Sequence, residues 1–132
     1  MIALDTNVLL RYLVQDNPAQ ASRATEIIER RLTRRHPGFV SLVCILEIAW
    51  VLQSLYKRSP RQIAGHIEMI LAADTLVVQN EQEIYQAVIA LRNRTGTFED
   101  ALIGALGIWW GCSTTLTFDQ NAAKRLHGFQ LI

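Results

Sequence analysis

The chain lacks any run of the roughly 18 uncharged apolar residues that a membrane-spanning helix needs. The stretch from Leu102 to Leu116 is apolar or small, but Gly104, Gly107 and Gly111 interrupt it and it is too short. The opening Met1-Ile2-Ala3-Leu4-Asp5 has no basic segment and meets an acid at once, so it is expected not to be a signal peptide. Cysteine is scarce: Cys44 and Cys112 both sit among apolar neighbours. They are expected as two buried thiols in a reducing cytoplasm, not as a bridge or a metal pair. The three histidines, His36, His66 and His127, lack zinc-motif spacing. There is no internal repeat and no low-complexity linker. The net charge of +1 supplies no bulk field that would announce a nucleic-acid partner.

What is present describes one globular domain covering residues 1–132. Apolar residues make up 50% and charged residues 19% of the chain, a balance that supports a buried core without staples. The charge is uneven. Arg30-Arg31-Leu32-Thr33-Arg34-Arg35-His36 is a basic patch directly before Pro37-Gly38. Two readings stand side by side: a solvated helix end, which cations favour, or a contact for phosphates.

Short apolar strand candidates alternate with helical segments. Ile2 to Leu4, Phe39 to Leu42, Thr75 to Val78, Thr114 to Thr117 and Phe129 to Leu131 read as strands. Helices are expected over Val8 to Val14, Ala19 to Leu32, a segment from Val43 to near Tyr56, Arg61 to Ala72, Glu81 to Arg94, Asp100 to Trp110 and Asp119 to Arg125. The Asp100 helix is almost entirely apolar, so it is expected deep in the core or at an interface. Of Trp109 and Trp110 at its end, one is expected in the core and the other at an interface, or both in the core. Alternation of this kind predicts a three-layer α/β/α fold with a short, mostly parallel central sheet. Ligands bind such sheets beyond the carboxyl ends of the strands.

Four acids stand out against this frame. Glu47 lies inside the helix Val43-Cys44-Ile45-Leu46-Glu47-Ile48-Ala49-Trp50-Val51, with no Lys, Arg or His within a turn. A carboxylate among apolar neighbours is costly unless something neutralises it, and a bound cation is one way. Asp5 and Asp119 follow strands and could simply cap the next helices. Thr97-Phe98-Glu99-Asp100 has the pattern of a capping box. Taken together, all four are expected at one edge of the sheet. Carboxylates gathered without matching bases repel one another, and a divalent cation removes the repulsion. All-oxygen acidic ligation suits Mg²⁺ or Mn²⁺ and not Zn²⁺. A cation so held does phosphoryl chemistry: it generates a nucleophile from water and screens charge on phosphorus oxygens. Nearby Arg and Lys would hold flanking phosphates.

Asp5-Thr6-Asn7-Val8-Leu9, the mid-chain Glu47, Phe98-Glu99-Asp100-Ala101-Leu102 and Leu116-Thr117-Phe118-Asp119 follow one another in that order. This arrangement resembles the PIN-domain ribonucleases, and among them the VapC-type toxins of bacterial toxin–antitoxin pairs, over essentially the whole chain. The resemblance implies a Mg²⁺- or Mn²⁺-dependent endoribonuclease of the cytoplasm, a homodimer held by a small cognate antitoxin protein. It maps the acidic quartet onto Asp5, Glu47, Asp100 and Asp119. Asp5, Asp100 and Asp119 are the implied metal ligands, and Asn7 and Thr117 are supporting polar residues. The implied reaction is hydrolysis of RNA by metal-activated water, with 5′-phosphate and 3′-hydroxyl ends. Position 97, three residues before the helix acid, is Asp in many relatives and Thr here.

Other readings compete. A phosphatase working through an aspartyl phosphate would need a second carboxylate two residues after Asp5, where Asn7 stands. A receiver-type switch would need adjacent acids there. The non-enzymatic alternative is a catalytically silent module that binds RNA or protein.

Overall fold

A computed structural model describes all residues from Met1 to Ile132. Five short strands alternate with seven helices. The strands are β1 (Ile2–Ala3), β2 (Gly38–Val40), β3 (Leu76–Val78), β4 (Thr115–Thr117) and β5 (Phe129–Leu131). The helices are α1 (Thr6–Val14), α2 (Pro18–Glu26), α3 (Leu42–Ser54), α4 (Pro60–Ala72), α5 (Glu81–Arg92), α6 (Phe98–Trp109) and α7 (Gln120–Arg125). Every strand pairing is parallel. Parallel neighbours need crossover connections, and the helices supply them. This is the expected single-domain α/β/α architecture.

The sheet is divided. The strands form two hydrogen-bonded pieces, β1-β2-β3 and β4-β5, and not one continuous ladder. The reason lies in strand length. β1 spends the amides of Ile2 and Leu4 on the carbonyls of Pro37 and Phe39, on the β2 side. With two residues it has almost no ladder to offer on its other edge. The strands are also less buried than their composition suggests: Ile2 and Leu116 are 62% and 58% exposed.

The helix boundaries have local causes. Pro18 and Pro60 each occupy the first turn of a helix, behind the capping residues Asn17 and Ser59. Ser59 and Gln62 complete a reciprocal capping box. Ser41 caps α3 at the amide of Cys44. At its carboxyl end α2 loosens into a wider turn over Ile27–Arg31, closed by Leu32 N–H donating to Ile27 C=O at 2.9 Å. The basic patch lies there, and two of its arginines are already engaged. Arg30 pairs with Glu26 at 3.3 Å and Arg34 with Asp74 at 2.6 Å. This supports the helix-end reading of the patch over phosphate contact.

A single core joins the β1–β3 sheet to the helices. Leu9, Ile45, Ile48, Leu52, Ile67 and Ile84 are fully buried in it, beside Val40 and Val78 from the strands. Each such side chain contributes about 1.5–3 kcal/mol of burial. No fully buried member of this core lies after Leu102; beyond it only the partly buried Leu106 and Leu126 pack against it. The β4–α7–β5 unit also docks on α6 and the loop before it, where glycines let it come close. A Cβ at Gly104 would stand 2.6 Å from the Phe129 ring, and one at Gly96 2.8 Å from Leu126.

Three further expectations change. Trp109 and Trp110 are both outside the core, 58% and 76% exposed, and meet edge to face at 5.3 Å. α6 turns only one face inward, leaving Ile103 and Ile108 exposed. Cys44 is half-buried with its thiol toward Leu4 C=O at 3.5 Å, whereas Cys112 is exposed; neither is bridged. No helix is long and apolar enough to cross a membrane.

Candidate active site

The four acids arise from two structural solutions. Asp5, Asp100 and Asp119 sit at helix starts that follow the strand ends or the α5–α6 loop. The partial positive charge of a helix N-terminus favours an anion at each of these places. Glu47 is the exception, one and a half turns into α3.

Asp5 is the residue before α1, yet its side chain makes no capping bond. Its carboxylate is exposed and free. Asp100 tells the same story differently. The Thr97 hydroxyl accepts the Asp100 amide at 3.1 Å, which caps α6. The return bond from the Asp100 carboxylate to the Thr97 amide is not made, so the capping box suggested by the sequence is only half formed. Asp119 does cap: its Oδ1 accepts the Ala122 amide at 3.0 Å. Its own amide donates to the Thr117 hydroxyl at 2.9 Å. Thr117 therefore fixes the backbone that carries Asp119. Asn7 is exposed in the first turn of α1.

Glu47 was singled out as a carboxylate in apolar surroundings. It is in fact exposed, because the face of α3 that carries it also carries the exposed Val43 and Trp50. The sequence places apolar residues there, but no other element covers them. What Glu47 does have is a partner from the far end of the sequence. The buried Thr6 hydroxyl donates to its Oε1 at 2.6 Å. This short bond to a charged acceptor ties α3 to the residue directly after Asp5. Thr6 was missed in reading the sequence; its signal was only that it stands beside Asp5 at a strand end.

The acids are thus brought together two by two. Glu47 reaches the Asp5-Thr6 segment, and Asp100 and Asp119 line one cleft. α3, which carries Glu47, also borders that cleft through Ala49 and Gln53. No three acids, histidines or cysteines stand close enough together to hold an ion among themselves. The chain has four salt bridges, Arg11–Asp16, Arg30–Glu26, Arg34–Asp74 and Arg92–Glu68, and none involves these acids. Their donor chemistry fits a hard divalent cation: carboxylate oxygens in no salt bridge, those of Asp5 and Asp100 free of hydrogen-bond duties. Their present spacing would have to tighten for three to share one ion.

The cleft beyond Asp100 and Asp119 encloses about 400 Å³. Arg58, Arg94 and Arg125 line it along with Glu99. No motif marks these arginines, and the sequence reading did not find them. Burial, and then the charge of Arg58, hold the neighbouring His66 imidazole below its ordinary pKa.

The fold and the free carboxylates at its helix starts define a parallel α/β/α domain with an acidic edge. The family model of the PIN domain matches residues 2–126. The chain therefore belongs to the PIN domain family, whose members are generally nucleases. A comparison with curated proteins gives no significant match.

Proposed function

We propose that the chain is a Mg²⁺- or Mn²⁺-dependent endoribonuclease, the VapC-type toxin of a toxin–antitoxin pair. One observation carries the reading: Asp5 and Asp100 have carboxylates that neither cap a helix nor pair with a base. Retaining unpaired acids at helix starts, where Ser or Thr would cap as well, suits a role in holding a cation. Asp5, Asp100 and Asp119 would hold the ion, which supplies charge screening at phosphorus and a more acidic water. Thr117 fixes the Asp119 backbone, and Thr6 holds Glu47 in one rotamer. Glu47 so held orients a water or accepts its proton. Hydrolysis by water leaves 5′-phosphate and 3′-hydroxyl ends.

Exposed apolar side chains are consistent with the proposed partners. Val43 and Trp50 on α3, Ile103 on α6 and Trp110 just after it are 70%, 60%, 55% and 76% exposed. Pairing of two copies, with an antitoxin covering what remains, would bury them. Two unbridged cysteines suit a cytoplasmic setting.

A second reading has its own observation. No three potential ligands are grouped tightly enough to hold an ion unaided, which favours a catalytically silent module binding RNA or protein. Asp5→Asn separates the two. The wild type should cleave total RNA only with Mg²⁺ or Mn²⁺ present, leaving 5′-phosphates, and D5N should lose at least a hundredfold of that rate. Equal RNA turnover by both proteins, or by neither, sinks the nuclease reading.

A further inference from the structure

Two buried side-chain polar atoms have no hydrogen-bond partner, and they belong to neighbouring residues. One is the Arg58 Nε, a donor, in the loop between α3 and α4. The other is the His66 Nδ1, in the middle of α4. A neutral imidazole protonated at Nε2 offers Nδ1 as an acceptor. A buried donor beside a buried acceptor is a matched pair, and one water spans such a gap when the two do not touch. The Arg58 backbone is fixed on both sides: its amide donates to Leu52 C=O at 2.9 Å, and Ser59 caps α4. Only the side chain is free to move. That side chain also lines the cleft of Glu99, Asp100 and Asp119, yet it makes no salt bridge there. His66 follows Ile63 of the cleft wall by three residues, so the two share one face of α4.

The surroundings leave Arg58 as the one charge that acts on His66. α3, α5 and β3 pack on α4. β3 has no titratable residue. On α3, Glu47 is held by the Thr6 hydroxyl and the Cys44 thiol lies toward Leu4. In the α3–α4 loop, Tyr56 donates to Asp16 and Lys57 is exposed. On α5, Glu83 accepts from Asn80 and Arg92 pairs with Glu68 of α4, while Glu81 and Tyr85 border a separate groove. Arg61 of α4 is exposed. No carboxylate among these groups stabilises a charged His66.

We propose that His66 is a pH-sensitive latch on Arg58: the neutral ring holds the guanidinium back from the cleft acids, and the protonated ring releases it onto Glu99 and Asp100. In the neutral state Nδ1 accepts from the Arg58 Nε–H across one water. In the protonated state both ring nitrogens are donors, and the ring carries the same charge as its neighbour. The bridge is lost and the two cations repel. Glu99 and Asp100 line the same cleft in no salt bridge, so they offer the released guanidinium a partner. An arginine paired there competes with a divalent cation for Asp100. The cleft is thus open to a cation at neutral pH and partly closed in acid. The transition falls below about pH 6.5, because burial and then the Arg58 charge hold the ring under its ordinary value. The latch stands on its own; its effect on a cation rests on the nuclease reading.

The test uses the full chain, isotope-labelled and free of metal, titrated from about pH 8 to about pH 5 and followed by NMR of the histidine rings and arginine Nε–H groups. His66 should start as the Nε2–H tautomer. The Arg58 Nε–H should exchange slowly at first and shift with the midpoint of His66, its exchange per hydroxide rising at least tenfold. In His66→Gln the Arg58 signal should stay level over the same range. Calorimetry with Mn²⁺ alone then reads the cleft at about pH 7.5 and about pH 5.5. Wild type should lose at least threefold more affinity than His66→Gln, because protonation of the carboxylates is common to both. An Arg58 signal that ignores His66, or one that moves equally in His66→Gln, overturns the latch. Equal losses of Mn²⁺ affinity overturn its reach into the cleft. D5N keeps the two proposals apart. If D5N loses cleavage while Arg58 ignores His66, the nuclease stands and the latch falls. If D5N cleaves like wild type while Arg58 follows His66, the latch stands and the nuclease reading falls.

Discussion

Two glycines in helices should respond to alanine differently. Gly65 lies inside α4, and a Cβ there would meet nothing within 4 Å. Alanine in a helix interior is worth about 1 kcal/mol over glycine. For a chain of 132 residues the unfolding entropy is about 280 cal/mol/K, so Gly65→Ala should raise Tm by about 4 °C. Gly104 lies inside α6, and its Cβ would sit 2.6 Å from the Phe129 Cε2 and 3.3 Å from Cζ. Carbon atoms pack at about 3.5–4.0 Å, so ring or helix must give by about 1 Å. Overpacking of this size costs about 1–3 kcal/mol, which offsets or exceeds the same helical gain. The propensity term cancels between the two variants. Gly104→Ala should therefore melt about 4–11 °C below Gly65→Ala. Phe129→Leu added to Gly104→Ala should recover part of the difference. Thermal unfolding by circular dichroism reads all of these. The effect reaches function because β4–α7–β5 carries Asp119 and docks at Gly104. Gly104→Ala should lower RNA cleavage as well as stability. Equal Tm shifts for the two alanines would refute the claimed close approach, and with it the idea that this contact sets Asp119 against Asp100.

Three other outcomes are expected. Thr6→Val keeps the side-chain shape but removes the donor to Glu47, so cleavage should fall about 10–100-fold, while Thr6→Ser retains most activity; equal rates for Val and Ser would show that the bond positions nothing. Asp119→Asn keeps a good capping group and should lose cleavage with stability within a few tenths of a kcal/mol, whereas Asp119→Ala should lose about 1 kcal/mol more, measured by urea unfolding. Acid titration probes His66, whose folded pKa is lowered by burial first and by Arg58 second. The unfolded chain then takes up the proton first as pH falls, so this group leaves stability untouched above about pH 6.5 and erodes it progressively below. His66→Gln should flatten the urea midpoint between pH 7 and pH 5, and an unchanged slope would count against the desolvation of that ring.

The order of elements was legible in the sequence because period and punctuation agreed. Pro18, Pro60 and Thr97 mark helix starts by their own chemistry, whereas Ser41, read as part of a strand, proved to be the cap of α3. The positions of Asp5, Asp100 and Asp119 at helix starts followed from the same local signals. Their state did not. Whether a carboxylate closes onto an amide depends on rotamers and loop geometry, and here Asp119 caps while Asp5 does not. The exposure of Glu47 and of both α6 tryptophans was hidden for a related reason: an apolar helix face announces that it wants cover, not whether another element supplies it.

By itself, then, the sequence determined which residues are helical, which are extended and which acids the chain places at the junctions, since these depend on neighbours within a few positions. Folding alone decided who meets whom across long separations. Thr6 finds Glu47 at a distance of 41 residues along the chain, and Gly104 admits Phe129. Arg58, Arg94 and Arg125 share a cleft only because α3, α5 and α7 end beside one another. Such encounters depend on packing of the whole core, and no local pattern carries that information.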